Sequence, residues 1–318
     1  MKKSITVFLC LIASAALLLG LVIFFIAIAA NGWKFSSDAV ENSYEYEEKI
    51  TDINILGSTE DIIFLPSQDG KSKFVFTESE TLKHSVSYDN GKASVSVVDT
   101  RKWYNRIFNF TDEKITVYLP EGLYSSLKID VSTGDVKIAK NFSFDFIDIS
   151  LSTGDVDSFA SANVSTKIEL STGKIRLQDS KTGELTLKSS TGDMTLKNIE
   201  AENVSIKVST GDVTMNTVFC KSLSTTGSTG DLYLTDVIAS GNWYIKRDTG
   251  RVEFSDSDAA EIYIETDTGD VRGSLLSEKI FFHSSDTGDV KLPQTMTGGK
   301  CEIKTDTGDI NVTITQKN

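Results

Sequence analysis

A Thr-Gly dipeptide recurs ten times between residues 133 and 308 of this 318-residue chain, at intervals of 19 or 20 residues. Apolar and polar residues alternate on both sides of each dipeptide, as in Ile147-x-Ile149-x-Leu151. This alternation is typical of a strand with one buried face. One such unit is too short to bury its own apolar face, so successive units must stack. The recurring glycines are Gly134, Gly154, Gly173, Gly192, Gly211, Gly230, Gly250, Gly269, Gly288 and Gly308.

The repeat predicts an all-β fold in which each unit is a strand, a tight turn, a second strand and a looser corner. We expect a single-stranded β-helix, or β-solenoid, of about ten coils with 19–20 residues each. The glycine suits a turn position that needs a positive φ. A β-propeller is the competing architecture, but its repeats of about 40 residues would need two of these units per blade.

The N-terminal segment differs from the rest of the chain. Lys2 and Lys3 precede the uncharged run Ile5–Ala30, and about 20 apolar residues are enough to span a bilayer. We therefore predict one transmembrane helix within residues 1–30, with the bulk of the protein outside the cytoplasm. A cleaved signal peptide is the alternative, although its apolar core normally has only about 7 to 15 residues.

The region between this anchor and the repeats divides into a polar linker, residues 31–43, and a strand-rich part, residues 44–127. In the latter, Asp89-Asn90-Gly91-Lys92 indicates a hairpin turn. We expect this part to cap the membrane-proximal end of the solenoid at residues 128–318, because a bare end is an open strand edge. No comparable cap follows Gly308, so the distal end should pair with another molecule or fray.

The charge balance restricts the possible partners. The chain has 45 acidic and 32 basic residues and a net charge of -13, which argues against binding to nucleic acid. Divalent cations and basic surfaces remain plausible partners.

Aspartates beside the turn glycines form the first candidate site. Stacking would place them in one column, interrupted by Lys174 and Arg251, and Ca²⁺ prefers several such oxygen ligands. Solvated turn residues are the competing explanation, and the Gly-Gly-x-Gly-x-Asp pattern of calcium-binding β-rolls is absent. No other cofactor is predicted. The candidate ligands are Asp267, Asp270, Asp286, Asp289, Asp306 and Asp309.

Residues 101–110 form the second candidate site, because they combine aromatic and basic side chains. Trp103, Tyr104 and Phe108 could contact lipid headgroups or a partner near the bilayer. Packing of the cap onto the first coil is the alternative.

Catalytic signals are missing from the sequence. The two histidines, His84 and His283, lie in different regions, and no nucleophile elbow, zinc spacing or phosphate loop is present. His283 occupies a slot used for apolar residues, which predicts an inward or edge position. Cys220 and Cys301 lie about four repeats apart, too far to pair in a stack of coils. We expect a protein that is not an enzyme.

The Ser-Thr-Gly-Asp-Val units and the lead-in Ile-Thr-Val-Tyr-Leu-Pro at residues 115–120 resemble the bacterial putative-adhesin β-strand-repeat family of unknown function. This family includes the LiaG-like envelope proteins. The resemblance covers residues 44–318 and implies a β-helical surface protein of a Gram-positive bacterium, with no catalytic residues. We therefore expect an adhesin or a protein-interaction scaffold in envelope-stress signalling. The alternative is a cation-dependent module that binds cell-wall polysaccharide through the aspartate column.

Overall fold

The computed structural model describes residues 17–26, 40–79, 81–100 and 113–315. Residues 17–26 form a helix, and no helix in these ranges is long and apolar enough to cross a membrane. The remaining described residues form 23 strands that belong to one continuous sheet. In chain order they are β1 Val40–Tyr46, β2 Asp52–Leu56, β3 Asp61–Pro66, β4 Ser72–Glu78, β5 Leu82–Asp89, β6 Lys92–Asp99, β7 Lys114–Leu119, β8 Gly122–Thr133, β9 Val136–Ile138, β10 Phe142–Thr153, β11 Val156–Ser158, β12 Ser161–Thr172, β13 Ile175–Thr191, β14 Met194–Thr210, β15 Val213–Cys220, β16 Ser222–Thr229, β17 Leu232–Thr249, β18 Val252–Thr268, β19 Val271–Leu275, β20 Lys279–Thr287, β21 Val290–Lys291, β22 Gly299–Thr307 and β23 Ile310–Ile314.

Parallel pairing between equivalent strands of successive coils confirms the β-solenoid. Ile149 of β10 lies beside Ile129 of β8 on one side and Ile168 of β12 on the other. These three side chains are all buried, so identical repeat positions stack into one apolar column. A single hydrophobic core extends along the stack from Ile50 to Val312. The parallel register through consecutive coils is incompatible with propeller blades.

Glycine is required at the repeated turn because of both its backbone conformation and the space around it. Gly173 has φ 142°, and a Cβ at this position would collide with the carbonyl group of Gly154 in the preceding coil. An L side chain would suffer strain and overlap together. The turn prediction is therefore confirmed.

A second sharp corner follows six residues after the turn glycine. Its residues are not glycines but have φ values between 48° and 57°. Asp and Asn tolerate this left-handed conformation better than most residues. The corner that the sequence analysis called loose is thus a defined bend in five coils, at Asp179, Asn198, Thr217, Asp236 and Asp256.

Antiparallel strands close the N-terminal end of the stack. β2 and β3 pair in parallel with β8 and β9, and β6 and β7 add one more parallel layer. Beyond this layer β5 runs antiparallel to β6, β4 to β7 and β1 to β4. The expected β5–β6 hairpin is confirmed, with positive φ at Asn90 and Gly91. β1 begins at Val40, within the range expected to be linker.

The last two coils are not stacked in chain order. β22 lies between β18 and β20, and β23 lies between β19 and β21. The coil that contains Gly288 is therefore outermost, and the expectation that the coil of Gly308 forms the distal end is wrong.

The inward side chains of the two coils give a physical reason for this order. His283 of β20 pairs with Ile303 of β22, and Ser285 pairs with Thr305. Placing the β20 coil inside the stack would bury an imidazole among apolar groups, which is costly without a hydrogen-bond partner. In the outermost layer His283 stays exposed, and the predicted edge position is confirmed.

Candidate interaction surface

The turn aspartates form a hydrogen-bonded ladder along the solenoid. The backbone N–H of Asp155 donates to Oδ1 of Asp135 at 2.9 Å, and the N–H of Lys174 donates to Oδ1 of Asp155 at 2.8 Å. The ladder begins one layer earlier than the repeat, because the N–H of Asp135 donates to Oδ1 of Asp61 at 2.8 Å. Each carboxylate thus stabilises the turn of the neighbouring coil. The N–H groups of Lys174 and Arg251 still donate to the preceding aspartate, but their side chains have no carboxylate to accept an N–H from the next coil. The ladder is therefore interrupted after each of these two residues.

Basic side chains neutralise part of this ladder. Arg176 reaches Asp155 at 3.3 Å and Asp157 at 3.0 Å, and Lys174 lies 3.4 Å from Asp193. Arg272 contacts Asp270 in the same way. Coulombic attraction and hydrogen bonds therefore already satisfy several of the carboxylates.

The predicted calcium ligands do not converge on one point. Asp289 donates its N–H to Oδ1 of Asp309 at 2.9 Å, and Asp309 donates its own N–H to Oδ1 of Asp270 at 3.0 Å. Along the stack, these three aspartates therefore follow the order Asp270, Asp309, Asp289. Asp267, Asp306 and Asp286 lie in a separate column, two residues before the turn glycines rather than one residue after them. Within the described ranges, no three or more His, Cys, Asp or Glu side chains are grouped to hold a metal ion.

The second candidate site lies outside the described residues. Trp103, Tyr104 and Phe108 fall between Thr100 and Glu113, so their contact with lipid or with a partner stays a prediction.

An aromatic column covers one outer face near the distal end. Tyr244, Tyr263 and Phe282 occupy equivalent outward positions in three of the last four layers, and Glu302 fills this position between Tyr263 and Phe282. The rings of Tyr244 and Tyr263 stack with centroids 5.3 Å apart. No aromatic residue fills the same position in the earlier coils. There it is occupied by Lys128, Asp148, Lys167, Thr186, Ser205 and Ser224.

Ion pairs and cation–π contacts connect the side chains of this face. Glu302 lies 2.6 Å from both Lys300 and Lys304, and hydrogen bonds from these two lysines lower the pKa of Glu302 to about 2. The same lysines lie over aromatic rings: Lys300 is 5.5 Å from the centroid of Phe282, and Lys304 is 5.4 Å from that of Tyr263.

The outermost coil leaves apolar groups and backbone exposed. We call β20, β21 and the following loop, residues 292–298, the distal tip. Ile280 and Phe282 are 40% and 52% exposed, and Met296 in the loop is 95% exposed. Within the described residues β20 pairs only with β22, so one edge of β20 lacks a neighbouring strand. A strand edge flanked by apolar side chains is a typical protein-contact surface.

A buried polar cluster in the cap was not anticipated from the sequence. Nε2 of His84 lies 3.3 Å from Oε1 of Glu60, and Nδ1 lies 3.4 Å from Oε1 of Glu78. Burial opposes ionisation of Glu60, but hydrogen bonds from His84 and the Ser58 amide outweigh it, so the pKa of Glu60 is lowered. The three side chains have almost no solvent exposure. They therefore link β5 to the β2–β3 turn rather than offering a site to a substrate.

The two cysteines in the solenoid are both free, as their separation along the repeats predicted, and both are buried. Burial raises the pKa of Cys220 to about 11 and that of Cys301 to about 12. Thiols with such values stay protonated at neutral pH and are poor nucleophiles.

Several solved structures are similar to this chain. A putative adhesin from Bacteroides fragilis is 14% identical, with 88% of this chain and 99% of that chain covered and a TM-score of 0.42. A putative adhesin from Parabacteroides distasonis is 10% identical, with coverages of 85% and 98% and a TM-score of 0.42. A putative lipid binding protein from the same species is 14% identical, with coverages of 88% and 99% and a TM-score of 0.34. No curated protein matches the chain.

The family comparison covers the cap and the solenoid together. The Toastrack family, DUF4097, matches residues 50–232 and again residues 200–318. These two overlapping matches include the parallel layers of the cap and all ten turn glycines. The chain therefore belongs to the Toastrack family, DUF4097.

Proposed function

We propose that this chain is a non-enzymatic, membrane-anchored protein that presents its solenoid outside the cytoplasm as a rigid contact surface. Adhesion and protein contacts in envelope-stress signalling are the roles that this arrangement suits. The supporting observation is the difference between the two ends of the stack. Antiparallel strands cover the N-terminal end, whereas the distal tip exposes the edge of β20 beside Ile280 and Phe282.

Anchoring at residues 1–30 would place the covered end towards the membrane. The uncharged run Ile5–Ala30 and the preceding lysines support this orientation. The distal tip would then lie farthest from the bilayer, about 45–50 Å along the stack of ten coils at about 4.8 Å each. A rod in this orientation can reach a partner that the membrane-proximal region cannot.

The chemistry of the described residues supports binding rather than catalysis. The histidine–glutamate cluster is enclosed within the cap, and the ladder carboxylates accept N–H groups of adjacent turns. A general acid or base must reach the proton that it transfers, either directly or through one water molecule. The enclosed histidine–glutamate cluster lacks this access, and Oδ1 in the ladder carboxylates Asp135 and Asp155 is already engaged by a backbone N–H.

Crosslinking in the cells that produce the protein tests the contact role. The full chain is crosslinked in place, recovered with and without a chelator, and its partners are identified by mass spectrometry. A specific membrane protein recovered in both conditions supports the proposal. Glycan recovered only without chelator would instead favour a cation-dependent polysaccharide-binding module. If neither is recovered, the contact role is abandoned.

A further inference from the structure

We infer that the distal tip binds an extended, basic segment of a partner protein, which adds as a strand along the free edge of β20. This inference rests on the proposed contact function and specifies its surface and the chemistry of its partner. Three features of the tip support it: the edge of β20 that no described strand covers, the apolar side chains beside that edge, and an adjacent column of carboxylates without ion-pair partners among the described residues.

The backbone of β20 supplies the first feature. Within the described residues β20 pairs with β22 alone, so alternate N–H and C=O groups of β20 point away from the sheet. The loop at residues 292–298 contacts the start of this strand, where Thr295 Oγ1 donates to the carbonyl oxygen of Lys279. Ile280–Thr287 continue beyond that contact. An extended peptide can satisfy such an edge through main-chain hydrogen bonds.

The apolar side chains of β20 indicate which residue types the peptide should have. Ile280 and Phe282 point outward at alternate positions of β20 and are 40% and 52% exposed. The side chains of an added strand would stand about 4.8 Å beyond them and continue the same columns. Apolar or aromatic residues at these two positions would cover Ile280 and Phe282 and remove apolar surface from water.

The carboxylate column indicates the charge of the peptide. The outward residue two positions before each of the last four turn glycines is an aspartate. None of these four aspartates forms an ion pair with any residue that the structure describes. The aspartate in the outermost coil is Asp286. A positive charge in the next layer would be attracted to this column, whereas another carboxylate would be repelled. In spatial order the column is Asp248, Asp267, Asp306 and Asp286.

The spacing on β20 then defines a recognition pattern. Ile280, Phe282 and Asp286 occupy outward positions on one strand. A parallel partner strand should carry an apolar residue, an aromatic residue two positions later and Lys or Arg four positions after that. A second copy of this chain is a poorer match, because its own Asp286 and its net charge of -13 would oppose association.

A designed peptide tests this pattern. The probe is acetyl-Thr-Ile-Thr-Tyr-Thr-Val-Thr-Lys-Thr-amide with a fluorescent label, and the matched control peptide has Glu in place of Lys. Binding to the full chain in detergent micelles is measured by fluorescence anisotropy. We expect the Lys peptide to bind at least about tenfold more tightly than the Glu peptide.

Substitutions in the chain locate the site. Phe282→Ser should weaken binding of the Lys peptide by at least about tenfold. Asp286→Lys should reverse the preference between the two peptides. Phe146→Ser is the matched control, because Phe146 is 50% exposed but lies on a distant coil, and it should leave binding unchanged.

Three results would overturn the inference. They are equal binding of the two peptides, equal effects of Phe282→Ser and Phe146→Ser, and a concentration-dependent dimer of the chain that Phe282→Ser abolishes. The last result would identify a second copy as the occupant. If the peptide fails but crosslinking in cells still recovers a specific membrane protein, the contact function stands and is located on another surface.

Discussion

The guanidinium group of Arg247 lies against the backbone of Gly227, in the space that a side chain at position 227 would need. Arg247 is fully buried, and its Nη2 donates to Thr225 Oγ1 at 3.1 Å, whereas Nε and Nη1 have no hydrogen-bond partner within the described residues. Burial lowers the pKa of Arg247 to about 10 despite the attraction of Asp212 and Asp231. The solenoid therefore accommodates this large inward cation because glycine occupies the equivalent position one coil earlier.

Gly227→Ala should destabilise the protein, because its Cβ would overlap with the Arg247 guanidinium. We expect a loss of roughly 1–3 kcal/mol in the free energy of unfolding, as for other overpacked cores. Arg247→Met should be neutral or stabilising, since it replaces an incompletely paired buried charge with an apolar chain. Urea unfolding of both variants and the double variant measures this coupling. Additive effects of the two substitutions would contradict the proposed overlap.

The repeated turn makes a second prediction possible with a closely matched control. Gly173→Ala places a Cβ against the Gly154 carbonyl at a φ of 142°, so the thermal midpoint should fall by several degrees. At Gly122 no atom lies within 4 Å of the corresponding Cβ position. Gly122→Ala should therefore be nearly neutral in the same circular dichroism experiment. Equal shifts for the two variants would show that the turn does not require glycine.

The same substitution should destabilise the protein at one histidine and have little effect at the other. His84→Phe keeps a ring stacked on Phe76 but leaves Glu60 and Glu78 buried without the imidazole between them. Removal of one partner from such a cluster typically costs about 3–5 kcal/mol. His283→Phe changes an exposed residue of the outermost coil and should alter stability by less than about 0.5 kcal/mol. Chemical denaturation measures both, and a neutral His84→Phe would refute the role of the cluster.

Local periodicity explains why much of the fold could be predicted. The interval between turn glycines determines which residues stack, so the pairing of Ile129, Ile149 and Ile168 follows from counting along the chain. The same count identifies the aspartate column and the separation of Cys220 from Cys301. It also contains a signal that was missed: the bend six residues after the glycine, where Asp and Asn recur.

Periodicity could not reveal contacts that depend on spatial order. The coils of Gly288 and Gly308 both fit beside that of Gly269, and the inward His283 in place of Ile303 distinguishes the outer coil from the inner one. The link between Glu60 and His84 joins segments without any repeat. In contrast, aligning the outward positions of the last coils would have shown Tyr244, Tyr263 and Phe282 in one column. The candidate surface could therefore have been predicted in part from the sequence.

Acid should weaken the contribution of Asp231 to stability. Burial opposes its ionisation, but hydrogen bonds from the Arg251 N–H at 2.7 Å and the Tyr233 hydroxyl at 2.8 Å outweigh it, so its pKa lies below the ordinary 3.8. The folded state therefore favours the carboxylate, and its stabilising effect is present above pH 3.8 and is lost as the pH falls through the lowered value.

Asp231→Asn keeps an oxygen acceptor but cannot ionise. Thermal melts from pH 6 to 2 should therefore show a wild-type advantage that declines with acid. A constant difference between the two proteins would contradict this assignment.

Calcium should not stabilise the protein through the turn aspartates. Oδ1 of Asp270 and Oδ1 of Asp309 each accept a backbone N–H, and Arg272 also contacts Asp270, so a cation would have to displace existing interactions. A ligand that binds only the folded state stabilises it by RT ln(1 + [L]/Kd) and therefore raises the thermal midpoint. We therefore expect no saturable heat in a calorimetric titration with Ca²⁺ and no shift in the midpoint at millimolar concentration. Saturable heat that disappears in Asp270→Asn and Asp309→Asn, but persists in Asp157→Asn on a distant coil, would restore the cation-dependent alternative.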